Sequence, residues 1–462
     1  MTATNMHTNI SPGSDKPKGP IFTKKVWAWG LWDWGSAAFN AIVTTFVFSV
    51  YLVNSDLFGP AANQRLGYVL AGAGLIVAVI APVHGQSVDR SGKSASVMRI
   101  TTLLTALITA CLFFVSPGET QLWLGLFLLA AGNIAFESGS VVYNAIITDI
   151  SSPSNVGRVS GFGWGLGYLG GIVLLLILFV GFINPDVGWF GVTSENGMNI
   201  RVSMLVASAW TLVFSAPLLF TMKNKPPRTG TPKLGVIGSY KQLFASVRHL
   251  WHTDRGVVWF LLSSAIFRDG LAGVFAFGAV LAAAAFGFSA GEVIIFGIAA
   301  NLVAGIATIA FGWLDDILGA RSVIIISLVS MVVCGLVIFF FHDGMGGLSP
   351  TMVYWIFGLM LCVFVGPTQS ASRTYLARIA PPGEEGEIFG LYATTGRAVS
   401  FLSPFMYSTA ITIGAAAAGV ALDEAAYFGI LGIVLVLLVG LVAFLPVKAQ
   451  PKSSATVEPV SY

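Results

Sequence analysis

Charge is what this chain lacks. Only 10% of its 462 residues are Asp, Glu, Lys or Arg, against roughly a quarter in an average soluble domain, so an ordinary water-facing surface is excluded. Cysteine is scarce too. Cys111, Cys334 and Cys362 lie inside apolar runs with no CxxC or Cys/His spacing, which excludes a disulfide framework and a zinc site and leaves packing as their role. His84, His249, His252 and His342 lie at the ends of apolar runs or between them, no two at ligand spacing, so no metal or other cofactor is expected. No G-x-x-x-x-G-K-[ST] loop occurs, which argues against direct nucleotide drive. The first 25 residues hold no apolar leader; Lys16, Lys18, Lys24 and Lys25 read as a basic tail on the side of synthesis. A net charge of +3 is too small and dispersed for a nucleic-acid partner.

Apolar surface is abundant instead, at 55% hydrophobic and 12% aromatic residues. Between residues 26 and 446 the chain shows twelve continuously apolar runs, each near the ~20 residues that cross a bilayer as a helix. The ~10-residue alternation of barrel strands is missing, and helices satisfy their own amides in lipid. The expected fold is an all-α membrane protein of twelve transmembrane helices, a monomer with the lipid bilayer around it. Its parts are a basic tail 1–25, an N-terminal six-helix half 26–222, a Pro-rich basic linker 223–255, a C-terminal six-helix half 256–446 and a tail 447–462. Within the linker, KQLFASVRHLWH from Lys241 reads either as an interfacial amphipathic helix or as a solvated stretch. If the N-terminus is cytoplasmic, 19 of the 24 bases fall on that side and 2, Arg65 and Arg201, on the other. This skew predicts that both termini are cytoplasmic.

The halves are related. GQSVDRSGK from Gly85, between runs 2 and 3, and GWLDDILGAR from Gly312, between runs 8 and 9, are displaced by 227 residues. NVGRVSGFGWGLG, with Gly157 opening run 5, and EEGEIFGLYATTG, with Gly386 opening run 11, are displaced by 229. Two anchors at nearly one offset indicate a parallel duplication of a six-helix unit.

Gly85, Asp89, Arg90, Gly92 and Lys93 fill the pattern G-x-x-x-D-R-x-G-[RK], which resembles the signature loop of the major facilitator superfamily. The glycines permit close helix approach and Asp89 can cap a helix of the other half. The resemblance implies a gate that closes the cytoplasmic side. In the second copy Asp316 is retained and the base is displaced to Arg321. The stretch WAWGLWDWGSAAF from Trp27 narrows the family, together with NAIITDIS, DGLAGVFAFG, FGWLDDILG, GPTQSASRTYLARIAPP and GEIFGLYATTGRA. It resembles the vacuole-effluxer family, the autophagy-related amino acid effluxers and their bacterial relatives. That resemblance implies a multi-pass permease rather than an enzyme, with amino acid efflux described for vacuolar members. The compact length is that of a bacterial member in the inner membrane, the vacuolar membrane being the alternative.

A charge at mid-bilayer costs about 2.5–3.5 kcal/mol on the insertion scale, so interior charges mark function. Six lie well inside the runs: Asp33, Glu137, Arg268, Asp269, Arg373 and Arg397. In the fold that the chain resembles, five of these are on cavity-lining helices and none is on a peripheral one. Three acids against three bases suggest mutual pairing, and substrate or proton binding by some of them is the competing expectation. Arg397, ~16 Å into its helix, is the candidate for an anionic substrate group, and Arg373, near a helix end, is a gate candidate. Asp33 and Glu137 are the proton-carrier candidates, because removal from water favours a neutral carboxyl. Asn144 and Gln369, with Asn40, Asn133 and Asn301, can orient a zwitterion or bridge helices. The expected function is secondary transport of a small polar solute, specifically proton-coupled amino acid efflux by alternating access. Uptake or export of a sugar, peptide or organic anion, and a non-transporting sensor or scaffold, remain as alternatives.

Overall fold

Without water in the bilayer core each segment has to satisfy its own amides, and this chain does so with long helices joined by short turns. The computed structural model describes residues 20–59, 62–227, 236–253, 255–381, 383–422 and 424–448. Expectations placed on the tails before residue 20 and after 448, including Lys16, Lys18 and Lys452, and on Arg228 and Lys233, lie outside the described residues, as do the side chains of His249 and Leu250. Among the described residues twelve helices are long and apolar enough to span: α1 Lys24–Leu52, α2 Gln64–Ser91, α3 Ser94–Phe114, α4 Glu119–Ile150, α5 Val156–Ile183, α6 Glu195–Thr221, α7 Arg255–Phe286, α8 Glu292–Leu318, α9 Ala320–Phe340, α10 Pro350–Ile379, α11 Glu385–Ala418 and α12 Ala426–Phe444. A further linker helix, Val236–Thr253, joins the six-helix halves.

The expected loop after α2 is mostly helix. Gly85 to Ser91 complete α2, and the turn is made at Gly92, whose φ of +66° and close approach to the Lys225 and Pro226 backbone both exclude a side chain. The physical reason is spacing: in helix, Gly85 and Asp89 stack one turn apart on the face turned to α11. The second copy does the same, with Asp316 inside α8 and the turn at Gly319, φ +85°.

The halves meet along two seams, α2 with α11 and α5 with α8, which are densest toward the linker end of the bundle. At both seams backbone lies on backbone. A Cβ on Gly85 would fall into the Gly386 carbonyl, and one on Gly312 would lie 2.7 Å from the Gly157 carbonyl. Higher up, Pro82 lies inside the continuous α2; lacking an N–H it leaves the Ala78 carbonyl without its helical donor, and Thr394 of α11 donates its hydroxyl there at 2.8 Å.

Two spans are irregular where they pass the molecular centre. In α1, Phe39–Phe46 is π-helical, and the hydroxyls of Thr44 and Thr45 both return to the Asn40 carbonyl at 2.8 Å; such widened turns recur at functional sites. The eleventh run reads as continuous, but its helix stops at Ala398 and restarts at Leu402.

Filling the seam should unlatch it. Overpacking costs about 1–3 kcal/mol, so Gly85→Leu is expected to raise the rate at which a membrane-impermeant maleimide reaches Asn144→Cys from the linker end by roughly tenfold or more. Equal rates with and without Gly85→Leu would show that the seam does not close that end.

Candidate functional site

Closure at the linker end leaves the halves apart above it. There a cavity of about 500 Å³ is lined by Asp33, Glu137, Asn144, Arg268, Asp269, Gln369, Arg373 and Arg397; of the other nominated asparagines, Asn40 lines it too, and Asn133 and Asn301 do not. It adjoins a more apolar chamber of about 560 Å³, walled by Phe46, Tyr168, Leu175 and Phe275, with Asp33, Asn40, Phe136, Trp164 and Ala272 common to both. Toward the far end the walls are accessible, with Asn40, Thr45, Phe46 and Ala279 exposed, whereas Arg373 and Tyr143 at the floor are buried.

The six charges are not paired off as three salt bridges; a single pair forms among them, and it spans the halves. Arg397 of α11 donates to the Glu137 carboxylate of α4. Their side chains retain 34% and 22% exposure, enough for a solute in the cavity to reach both. Arg373 is 3% exposed and, among the described residues, forms no ion pair. It reaches instead from α10 into the other half, donating to the Ser160 hydroxyl (2.9 Å), the Ser160 carbonyl (2.7 Å) and Asn144 Oδ1 (3.2 Å). Three ring faces surround it, Trp29 at 4.8 Å, Trp164 at 5.5 Å and Tyr143 at 5.8 Å, a setting that stabilises a desolvated guanidinium. Arg373 therefore forms the cavity floor.

Arg268 and its neighbour Asp269 also part company. Arg268 donates to the Tyr392 carbonyl at 2.9 Å and lies 3.6 Å over the Tyr392 ring. Asp269 accepts the Ser403 amide at 2.6 Å, and its own carbonyl accepts the Ser403 hydroxyl at 2.9 Å. Ser403 is in the first turn of the restarted α11, so Asp269 caps a helix N-terminus from another helix. Asp33 lies against Gly167, beside Tyr143 and Arg373, and forms no ion pair among the described residues. Gln369 adds an amide to the wall.

At the linker end the two seams carry matching carboxylates. Asp89 accepts the amides of Gly386 (3.1 Å) and Glu387 (2.9 Å) at the start of α11; Asp316 accepts those of Gly157 (2.7 Å) and Arg158 (3.2 Å) at the start of α5. Their surroundings differ. Asp316 is also bound by the Arg158 side chain at 2.7 Å and by Arg378 at 3.4 Å, while Gln86 links α2 to the Glu387 carboxylate at 3.0 Å and Arg90 donates to Gln86. Arg321, expected beside Asp316, is in neither seam. Its guanidinium holds the Val447 and Leu445 carbonyls, at 2.6 and 2.9 Å, within its own half, because α9 turns it toward the end of α12. Lys93 stands at the start of α3, outside the seam, without an ion pair among the described residues. Sequence reasoning missed Arg158, Arg378 and Asp315, which pairs with Arg378 at 2.6 Å, since the two arginines read only as topology-setting bases. The 229-residue offset contained a signal, because it sets Arg158 opposite Glu387.

A family model described as "Vacuole effluxer Atg22 like" matches residues 151–450. An uncharacterized MFS-type transporter of Bacillus subtilis (strain 168), YxiO, is 25% identical over 394 residues, 83% of this chain and 88% of its own. Autophagy-related protein 22 of Yarrowia lipolytica is 22% identical over 306 residues, 60% of this chain and 50% of its own, so the chain spans about half the length of that fungal relative. Among solved structures, the proton:xylose symporter XylE superposes with a TM-score of 0.67 at 14% identity, covering 90% of this chain and 94% of its own. A bacterial homologue of the iron transporter ferroportin, in an outward-facing state, gives 0.66 at 16% identity, covering 92% and 99%. At such identities the likeness establishes the major facilitator fold and leaves the cargo open.

The cap on the broken helix yields a test. Replacing an N-capping carboxylate costs about 0.5–2 kcal/mol, so Asp269→Ala should lower the melting temperature of the detergent-solubilised protein, and Asp269→Asn, which still accepts the Ser403 amide, should lower it less. Equal melting of Asp269→Ala and the native protein would remove the capping role.

Proposed function

Because the chain belongs to the Atg22-like vacuole effluxer family of the major facilitator superfamily, we propose that it exports amino acids across a bacterial cytoplasmic membrane in exchange for protons. The reading is carried by one observation, the solute-reachable Glu137–Arg397 pair between the halves. A zwitterion presents the same two charges. Its carboxylate suits Arg397 and its ammonium Glu137, so binding replaces an internal pair by two charge-assisted hydrogen bonds with the solute. The apolar chamber above accommodates an aliphatic or aromatic side chain. Segments 26–222 and 256–446 act as the two rocking bodies, tied by the linker 223–255. The linker end is assigned to the cytoplasm, on the skew of the bases, so this conformation is outward-facing.

Glu137 and Asp33 are the proton carriers in this scheme. When Glu137 takes a proton its hold on Arg397 weakens, which couples protonation to separation of α4 from α11; Asp33, near Arg373, couples to the floor. Asn144 and Gln369 orient the solute, and Arg268 and Asp269 shape the break in α11.

The test is flux of neutral amino acids in proteoliposomes with an imposed pH gradient. Losing one partner of a central charge pair costs about 2 kcal/mol or more, so Arg397→Ala should slow transport roughly thirtyfold. Asp33→Asn should retain solute exchange but lose accumulation driven by the gradient, and Glu137→Gln, which removes the ammonium site as well as a carrier, should slow exchange too. Transport unaffected by all three substitutions together would overturn the site assignment.

A further inference from the structure

The linker helix takes no part in the cavity or the seams, yet its surface is patterned. Ser239 and Leu243 are buried against the bundle, and the Tyr240 hydroxyl donates to the Val79 carbonyl of α2 at 2.6 Å, which fixes one face. Beside that face, Ile237, Phe244 and Trp251 are 75%, 74% and 43% exposed. Seven residues apart, they form one row along the helix. Each is followed four residues later by an exposed base: Lys241, Arg248 and Arg255. Arg255 lies over the Trp251 ring at 5.8 Å. An apolar row flanked by Lys241 and Arg248 on the helix and by Arg255 at the start of α7 is the surface of a helix lying in a membrane interface.

Depth points the same way. The apolar run of α2 closes at Val83, four residues or ~6 Å beyond Val79, and Ile76, Val79 and Ile80 on the outer face of α2 are all exposed. The Tyr240 bond thus holds the linker helix at the boundary between hydrocarbon and headgroups. In water the row would leave three large apolar side chains uncovered. In a neutral leaflet each lipid phosphate is already offset by the cation of its own headgroup; anionic headgroups leave that charge for the bases while their acyl chains cover the row.

We propose that the linker helix is a docking surface for anionic phospholipid, with Ile237, Phe244 and Trp251 among the upper acyl chains and Lys241, Arg248 and Arg255 on lipid phosphates. This surface is independent of the transported solute. The test uses the full chain with its three cysteines replaced by serine and a nitroxide at Phe244→Cys, reconstituted in phosphatidylcholine alone or with about one-third phosphatidylglycerol. The readout is the ratio of collisions with oxygen to collisions with a water-soluble nickel chelate. Phosphatidylglycerol should raise this ratio on the order of fivefold for each base engaged, and Lys241→Glu with Arg248→Glu should abolish the rise. A second nitroxide at Ile295→Cys, on the outer surface of α8, should report the same bilayer depth throughout and so show that the variant remains inserted. A label at 244 open to nickel in both lipids, equally immersed without phosphatidylglycerol, or shielded from both reagents by a second copy or other protein would overturn the proposal.

Discussion

Everything in the structure hangs on two places where the backbone of one half rests directly on the backbone of the other. Gly85 against Gly386 and Gly312 against Gly157 leave no room for a Cβ, and from these contacts the paired helices run upward together until the halves diverge. The carboxylates follow from the same crossings. Asp89 and Asp316 each stand one turn beyond a crossing glycine, at the height where the partner helix begins and its free amides point out. Cavity position, floor and accessible end are all set by where that close contact stops.

Above the contact, an apolar interior forces every charge to find compensation, and the chain uses a different means for each. Arg373 has a hydroxyl, two oxygen acceptors and three ring faces; Arg268 a carbonyl and one ring; Asp269 an amide at a helix start. These are internally complete. Among the described residues Glu137 and Arg397 compensate only each other and stay within reach of the cavity, so they can change partners without stranding a third group. That difference separates a structural charge from an exchangeable one better than position along the helix does.

Much of this was legible in the sequence because it is local. Twelve runs, the duplicated G-x-x-x-D spacing and the cost of interior charge need no knowledge of neighbours, and the six charges nominated on cost line one cavity. Partners were not legible. Opposite charges suggested mutual pairing, but backbone carbonyls and aromatic faces leave no mark in a one-dimensional pattern, so the surroundings of Arg373 and Arg268 could not be read. Arg321 looked like the displaced base of the gate because it follows Asp316 closely, whereas the turn at Gly319 directs it to the end of α12. Arg158, one residue after a crossing glycine, was hidden among bases that also set topology. The break in α11 is equally silent, since GRAVSFLSP reads as one polar-to-apolar helix until Asp269 is seen to supply its second start.

The proline in α2 carries a consequence for leakage. With no N–H at Pro82, the Ala78 carbonyl depends on Thr394 of the opposite half, and an unpartnered carbonyl in a dry interior costs about 1–3 kcal/mol. Parting α2 from α11 therefore exposes an acceptor that only water can satisfy. Opening and hydration become one event at this point, and an empty, dry passage is held shut by the hydrogen that Pro82 lacks.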